Sequence, residues 1–401
     1  MRPVFVLIFH ATAPTGAGPL VCALAEARRA LAQRQCAAFL AAGADAADIV
    51  AGPPDGLTFG ERLRAAARDG RATATGKSAA GAAGPAGAAG TAGAAGTAAG
   101  KGPAGAPPLG GLIVLGSGSI PLATPADLRR FVDFAAGPGG HALANNRYSA
   151  DVVAISRASD LAGLPPLPAD NALPRWLEEH AGVAVTDLRS RWRLGVDIDT
   201  PLDLILLRDP AAGALHAMAP LFGERLAALA DVLSNKRAEL LVAGRVSAAT
   251  LTWLQHGVAC RVRALVEERG LKAATQLAQS GATAGATTNS RSPRSVLGEL
   301  LDRDGPESLA LTVSRLADAA VIDSRVLMAH QFGPSESNWP AAEDRFASDL
   351  LLPLALADPW LHALTASASA PASPTPILLG GHTLVNGGLR LLAQRARAGA
   401  R

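Results

Sequence analysis

Aromatic residues make up only 4% of the 401 positions, and Tyr148 is the single tyrosine. The cores must therefore be built from Leu, Val, Ile and Ala. Cysteine is almost as scarce. Cys22, Cys36 and Cys260 form no CxxC pair, which excludes a disulfide framework or a cysteine-based zinc module and reads as reduced, intracellular thiols. Long apolar runs are missing too. No stretch approaches the ~20 residues of a membrane span, and the run Val4 to Phe9 is too short for a signal-peptide core. Nor does one sign of charge prevail. The 37 basic and 34 acidic residues leave a formal +3, too weak an imbalance to argue for nucleic acid or a membrane surface as partner. A soluble, cytoplasmic protein is expected.

Apolar material itself is ample, at 49% of the chain. Pro3 to Phe9 reads as a strand buried on both faces. Leu20, Leu24, Ala27, Leu31 and Phe39 then fall at helical spacing, with Gly43 as the stop. Strands are expected at Asp48–Ala51, Gly111–Leu115, Asp151–Ser156, Val183–Thr186 and, as a strand end, Leu194–Ile198. Helices are expected from about Thr58 to Arg68, from Thr124-Pro125, over Ala172–His180 and from Thr200-Pro201, where Thr before Pro is a favoured start. Alternating strands and helices over 1–208 predict an α/β domain with a mostly parallel sheet. Residues 209–401 read as mainly helical, with a stripe at Leu309, Val313, Leu316, Ala320 and Leu327 and one isolated strand at Ile377–Leu379.

Three segments differ in composition. Arg71 to Pro108 has no Leu, Ile, Val, Met, aromatic or acidic residue and cannot bury enough surface to offset chain entropy. It reads as a disordered insertion. Its Thr75-Gly-Lys-Ser78 lacks the first glycine and the preceding strand of a phosphate-binding loop. Residues 279–294 and 366–376 read as flexible, from their small polar composition.

Chemistry concentrates in two segments, Gly116-Ser-Gly-Ser-Ile-Pro-Leu122 and Gly195-Val-Asp-Ile-Asp-Thr-Pro-Leu-Asp-Leu204. Each ends a predicted strand and runs into a Thr-Pro helix start, and ligands of open α/β sheets sit at the carboxyl ends of strands. Asp197 and Asp199, two apart, would share one face of a strand. Such a pair suits a hard divalent cation bridging phosphates, while capping and solvation around Thr200 would explain the same residues. Arg147 is placed either to pair with a phosphate or to finish a turn. His10 follows the first strand, where ligand loops sit, although a hydrogen-bonded surface role is the plainer account of a strand-end histidine. In the second half, Asp323, His330 and His382, the last after Gly380-Gly381, form a weaker constellation for which structural hydrogen bonding is the plainer account.

The order of elements, with "LIVLGSGSIPLATPADL" followed by "LGVDIDTPLDL", resembles the MobA-like NTP transferases, and among them the phospholactate guanylyltransferases, over about residues 3–208. The resemblance implies a GT-A-type, Rossmann-related sandwich, a nucleoside triphosphate and a small phosphorylated acceptor as substrates, and Mg2+ as cofactor. It makes Asp197 and Asp199 the catalytic and metal-holding residues. Ser117 to Pro121, including Ser119, would line the nucleotide site. The backbone amides of Gly116 and Gly118 would contact the nucleotide, and His10 and Arg147 are further nucleotide-binding candidates from their own positions. Two features of that family are missing. The first loop, His10 to Gly18, has no Lys or Arg, and Ser117, Ser119 and Ile120 stand where an acid ends the third strand. Loss of that charge removes much of the stabilisation phosphoryl chemistry depends on, so a degenerate nucleotide- or sugar-nucleotide-binding regulatory module is the alternative. Replacing residues 71–108 by a short Gly/Ser linker is expected to leave the thermal midpoint within about 2 °C of the parent, read by calorimetry.

Overall fold

The computed structural model describes residues 2–52, 57–65, 110–161, 163–167, 170–268, 293–371 and 375–399. The 71–108 insertion and residues 279–292 lie outside them. In the first half β1 (Val4–Ala11), α1 (Pro19–Ala41), β2 (Ala46–Gly52), β3 (Gly111–Gly116), α2 (Pro125–Ala136), β4 (His141–Ala144), β5 (Val152–Ile155), α3 (Leu173–Glu179), β6 (Ala184–Asp187) and α4 (Pro201–Leu207) follow one another. The sheet order is β2-β1-β3-β5-β4-β6. Only β5 runs against its neighbours, pairing antiparallel with β3 and β4. The fold is thus α/β with a mostly parallel mixed sheet, as the alternation of elements predicts.

Two sequence expectations are corrected here. Residues 194–198 are not a sheet strand. Trp192–Gly195 is a 3-10 turn, and Asp197 makes one isolated antiparallel bridge to Ser119. The strand β4, four residues long and carrying no strong β-formers, has no counterpart among the expected elements.

The second half contains α5 (Ala212–Met218), α6 (Pro220–Ser234), β7 (Glu239–Gly244), α7 (Ala248–Gly257), β8 (Arg261–Val266), α8 (Val296–Asp304), α9 (Leu309–Ser314), β9 (Ala319–Asp323), α10 (Ser324–Phe332), α11 (Ala342–Asp349), α12 (Pro359–Ser369), β10 (Ile377–Gly380) and α13 (Leu389–Gly399). It is rich in helices, as expected, but they surround a four-stranded sheet in the order β10-β9-β7-β8. All its pairings are parallel. The supposed helical stripe from Leu309 to Leu327 is in fact helix, strand and helix. Ala319–Ile322 are fully buried in the strand, and a continuous apolar run of this length fits a doubly covered strand as well as a helix. The segment 366–376 is corrected in part. Ala366 to Ser369 complete α12, with Ser367, Ala368 and Ser369 buried.

One core joins the halves. Leu20, Leu24, Ala27 and Leu31 of α1 and Leu202, Leu204, Ile205 and Leu206 of α4 belong to the same buried cluster as β7, β9 and β10. Further along α1, Ala32 and Phe39 turn to the first sheet instead. α1 is therefore packed from two sides, which its 23 residues and broad apolar face permit. A second contact fixes its start. The Glu343 carboxylate, from α11, accepts from the Leu20 and Val21 amides at 3.0 and 3.1 Å, satisfying two of the unpaired donors of a helix N-terminus. No helix among the described residues is long and apolar enough to cross a membrane.

Because the core is shared, Leu202→Ala is expected to cost about 2–5 kcal/mol. The variant should still unfold in one transition, with circular dichroism and tryptophan fluorescence coincident in denaturant. Separate transitions for the two signals would contradict a common core.

Candidate metal centre

Both sheets present their carboxyl edges to a common junction. In the first, strand order reverses between β1 and β3, and in the second between β7 and β9. Such switch points open the crevices where α/β proteins bind ligands. At the β1/β3 point His10 Nδ1 lies 3.1 Å from Ser117 Oγ, both side chains buried. Burial, with Arg29 and Arg28 nearby, holds the His10 imidazole below its ordinary value. At the β7/β9 point Arg245 makes a two-pronged pair with Asp323, at 2.5 and 3.0 Å. Gly244 has φ +118°, and a Cβ there would fall 2.4 Å from that of Asp323.

Between the two edges runs the extended segment Val196–Thr200. Its bridge to Ser119 is reinforced by the Ile198 amide, which donates to the Gly118 carbonyl at 2.9 Å. Arg28, on α1, holds it from the side: Nε donates to the Ile198 carbonyl at 2.5 Å, and a terminal nitrogen donates to Asp199 at 2.9 Å. Asp203 closes the following turn, its Oδ2 accepting from the Asp199 and Thr200 amides at 2.9 and 2.7 Å. From the second half, Gly387 lets Val196 pack against its backbone, since a Cβ there would lie 2.3 Å from Val196 Cγ2. That glycine belongs to a π-helical turn, Leu384–Gly388, a form frequent at functional sites.

The result is a cluster that neither half makes alone. One ligand atom each of Asp197, Asp199 and His382 lie within 4.8 Å of one another, an arrangement able to hold a metal ion. His382 Nε2 is 3.6 Å from Asp197 Oδ1, and Nδ1 is 4.0 Å from Asp199 Oδ2. Asp197 is buried and accepts from the Thr383 hydroxyl, while Asp199 is half-exposed. A cation about 2.1 Å from each donor needs donor separations near 3–4 Å, so small side-chain rotations close the site. The donor set is two oxygens and one imidazole nitrogen. It fits a divalent ion, though it is not the all-oxygen set magnesium favours.

Charge points the same way. Arg28 pairs with Asp199, Arg245 with Asp323 and Arg325 with the buried Asp349. Asp197 and Asp203 have no arginine partner among the described residues, which leaves the junction with an excess of carboxylate. Burial, then the neighbouring Asp199, pushes Asp197 up to about 6. Burial followed by Asp199 and Asp197 also raises Asp203 well above the usual range. Asp199 moves the other way: burial opposes its charge, but Arg28 and His382 outweigh that and hold it low.

Asp197 and Asp199 thus come together as the sequence places them, though on a singly bridged extended segment rather than a sheet strand. Gly116 to Ser119 lie beside them, but Ser117 and Ser119 are buried, and the Ser119 carbonyl accepts from Gln35 at 2.5 Å. Ile120 takes φ +43°, a strained value for a β-branched residue. Arg147 belongs elsewhere. It pairs with Glu178 and stacks with Arg189 around Tyr148. Of Asp323, His330 and His382, the first two serve in structural hydrogen bonds, the plainer account of them in the sequence. Asp323 caps α10 and binds Arg245. His330 joins Asp302 to the Ser295 amide, and only His382 reaches the cluster. Thr383, Arg28 and Arg245 had no motif to mark them, since each meets the site across the chain. Burial pushes the Cys260 thiol up to about 11, an unreactive position.

A cavity of about 60 Å3 lies near the β1/β3 switch point, lined by Phe9, Phe59, Gly116, Asp151 and Leu173 among others. That is far below the ~300 Å3 of small-molecule sites. Comparison with protein-family models, curated proteins and solved structures finds no match.

In the metal-free protein the raised Asp197 value fixes the sign of a pH effect. A carboxyl raised from 3.8 to about 6 favours the folded state while protonated, and that contribution is lost as pH rises through about 6. Asp197→Asn, measured in chelator, should therefore exceed the parent in stability at pH 8 by on the order of 1–3 kcal/mol. The advantage should vanish below about pH 4. Equal stabilities across that range would contradict the burial described.

Proposed function

We propose that the protein is a divalent-metal-dependent nucleotidyltransferase acting on a small phosphorylated acceptor. The observation that carries this reading is the meeting of Asp197, Asp199 and His382 at the carboxyl edges of two α/β sheets. In nucleotidyl transfer the acceptor phosphate oxygen bonds to the α-phosphorus of the nucleotide as pyrophosphate departs in line. Positioning and charge neutralisation supply most of the catalysis in reactions of this class. A cation held by Asp197 and Asp199 would neutralise phosphate charge; of the ions considered, Mg2+ is the one the sequence resemblance implies. The residues of the chain supply the orientation. Arg28 keeps Asp199 ionised and aimed, and Thr383 fixes the Asp197 rotamer.

One observation favours the alternative, a catalytically degenerate nucleotide- or sugar-nucleotide-binding regulatory module: the α1 N-terminus, a natural phosphate site, is taken by Glu343. Thermal unfolding with each nucleoside triphosphate, with and without Mg2+ or Mn2+, separates the two. Ligand held by the folded state alone raises the midpoint. A transferase should show a metal-dependent shift with one nucleotide, and pyrophosphate release with its acceptor. Both should be lost in Asp197→Ala, the release by about 100-fold or more. A shift with metal but with no nucleotide would leave the regulatory module.

A further inference from the structure

We infer that the C-terminal half decides which metal the site takes: His382 makes it a site for a borderline transition ion of the zinc class rather than for magnesium. The inference rests on Asp197 and Asp199 being metal ligands and concerns metal binding alone.

The imidazole is held in place but not consumed. At 3.6 and 4.0 Å it stands too far from either carboxylate for the charge-assisted hydrogen bond of an ordinary His–Asp pair, which closes to about 2.7–2.9 Å. Its ring nitrogens make no hydrogen bond among the described residues. The ring stands beside both carboxylates without closing on either. The turn that carries the ring is fixed from several directions. Asn386 donates to the His382 carbonyl at 2.8 Å and to the Arg245 carbonyl at 3.0 Å, and accepts from the Ser247 amide at 2.9 Å. Thr383, the next residue, donates to Asp197 itself. Such supporting bonds orient metal ligands.

Ligand chemistry then selects the ion. Two carboxylates and one imidazole, with the fourth side left to solvent by the half-exposed Asp199, match the three-ligand, open zinc site that combines nitrogen and oxygen donors. Magnesium gives up water reluctantly and seeks six oxygens. Imidazole is a donor preferred by zinc, iron, nickel and copper. Magnesium thus gains little from His382, and zinc gains a strong ligand. Metal binding also ties the halves together, because the nitrogen comes from one and the oxygens from the other.

The test uses the metal-depleted full chain without nucleotide. Zn2+ affinity is read by competition with a chromophoric chelator, and Mg2+ affinity by calorimetry. His382→Ala is expected to weaken Zn2+ by at least about 10–100-fold, the range for losing a mere supporting partner of a ligand, and Mg2+ by less than about 3-fold. His382→Asp, which completes an all-oxygen set, should weaken Zn2+ and tighten Mg2+. It also serves if the alanine variant does not fold. Unchanged Zn2+ affinity in His382→Ala, or an equal loss for both ions, overturns the inference. Absence of any metal binding to the parent overturns it together with the metal reading of the aspartates. Zinc selectivity lost with His382, in a protein on which no nucleotide acts, sustains the inference and removes only the transferase.

Discussion

The extended segment from Val196 to Thr200 is the constraint on which the rest of the molecule depends. It is bonded on one edge to the turn after β3, held from the side by Arg28 and packed on the other side against the π-helical turn before α13. Those contacts set the distance between two sheets that share no strand. They also leave Asp197 buried with a carboxylate that no arginine among the described residues pairs with. The cost of burying such a charge is high unless something compensates it. A proton does so, as a divalent ion would, and the raised value of Asp197 expresses that demand.

Ion pairs extend from this junction into the second half. Arg245, Asp323, Arg325 and Asp349 lie in sequence, with Asp323 also accepting from the Arg325 amide. Buried pairs of this kind contribute little net stability, since desolvation offsets most of their attraction. They do fix geometry. Through them the ends of β7 and β9 and the start of α10 are locked in one arrangement, and Arg245 in turn offers its carbonyl to Asn386 beneath His382.

Much of the first half was legible because its signals are local. Continuous apolar runs marked β1 and β3, and Thr124-Pro125 and Thr200-Pro201 marked helix starts that the structure caps with Asp127 and Asp203. Asp197 and Asp199 were legible for the same reason, lying two apart beside such a start. What escaped notice was non-local. The run Ala319 to Ile322 is read as helix when only its neighbours in sequence are considered, and becomes a strand because β7 and β10 flank it. Glu343 in an acidic helix gives no hint that it closes α1, more than three hundred residues away. His382 is marked in the sequence by two glycines at a strand end, but nothing local ties it to Asp197 and Asp199, while Asp323 and His330 tie down other helices.

The junction has a consequence for biosynthesis. Thr383 lies 186 positions after the aspartate it bonds, so a chain emerging from the ribosome exposes the first half long before its counterpart exists. During that interval Leu20, Leu24, Leu202 and Leu206 have no cover, and such surfaces invite association with the wrong neighbour. The centre is among the last features to form. Any truncation before residue 382 leaves it without its nitrogen.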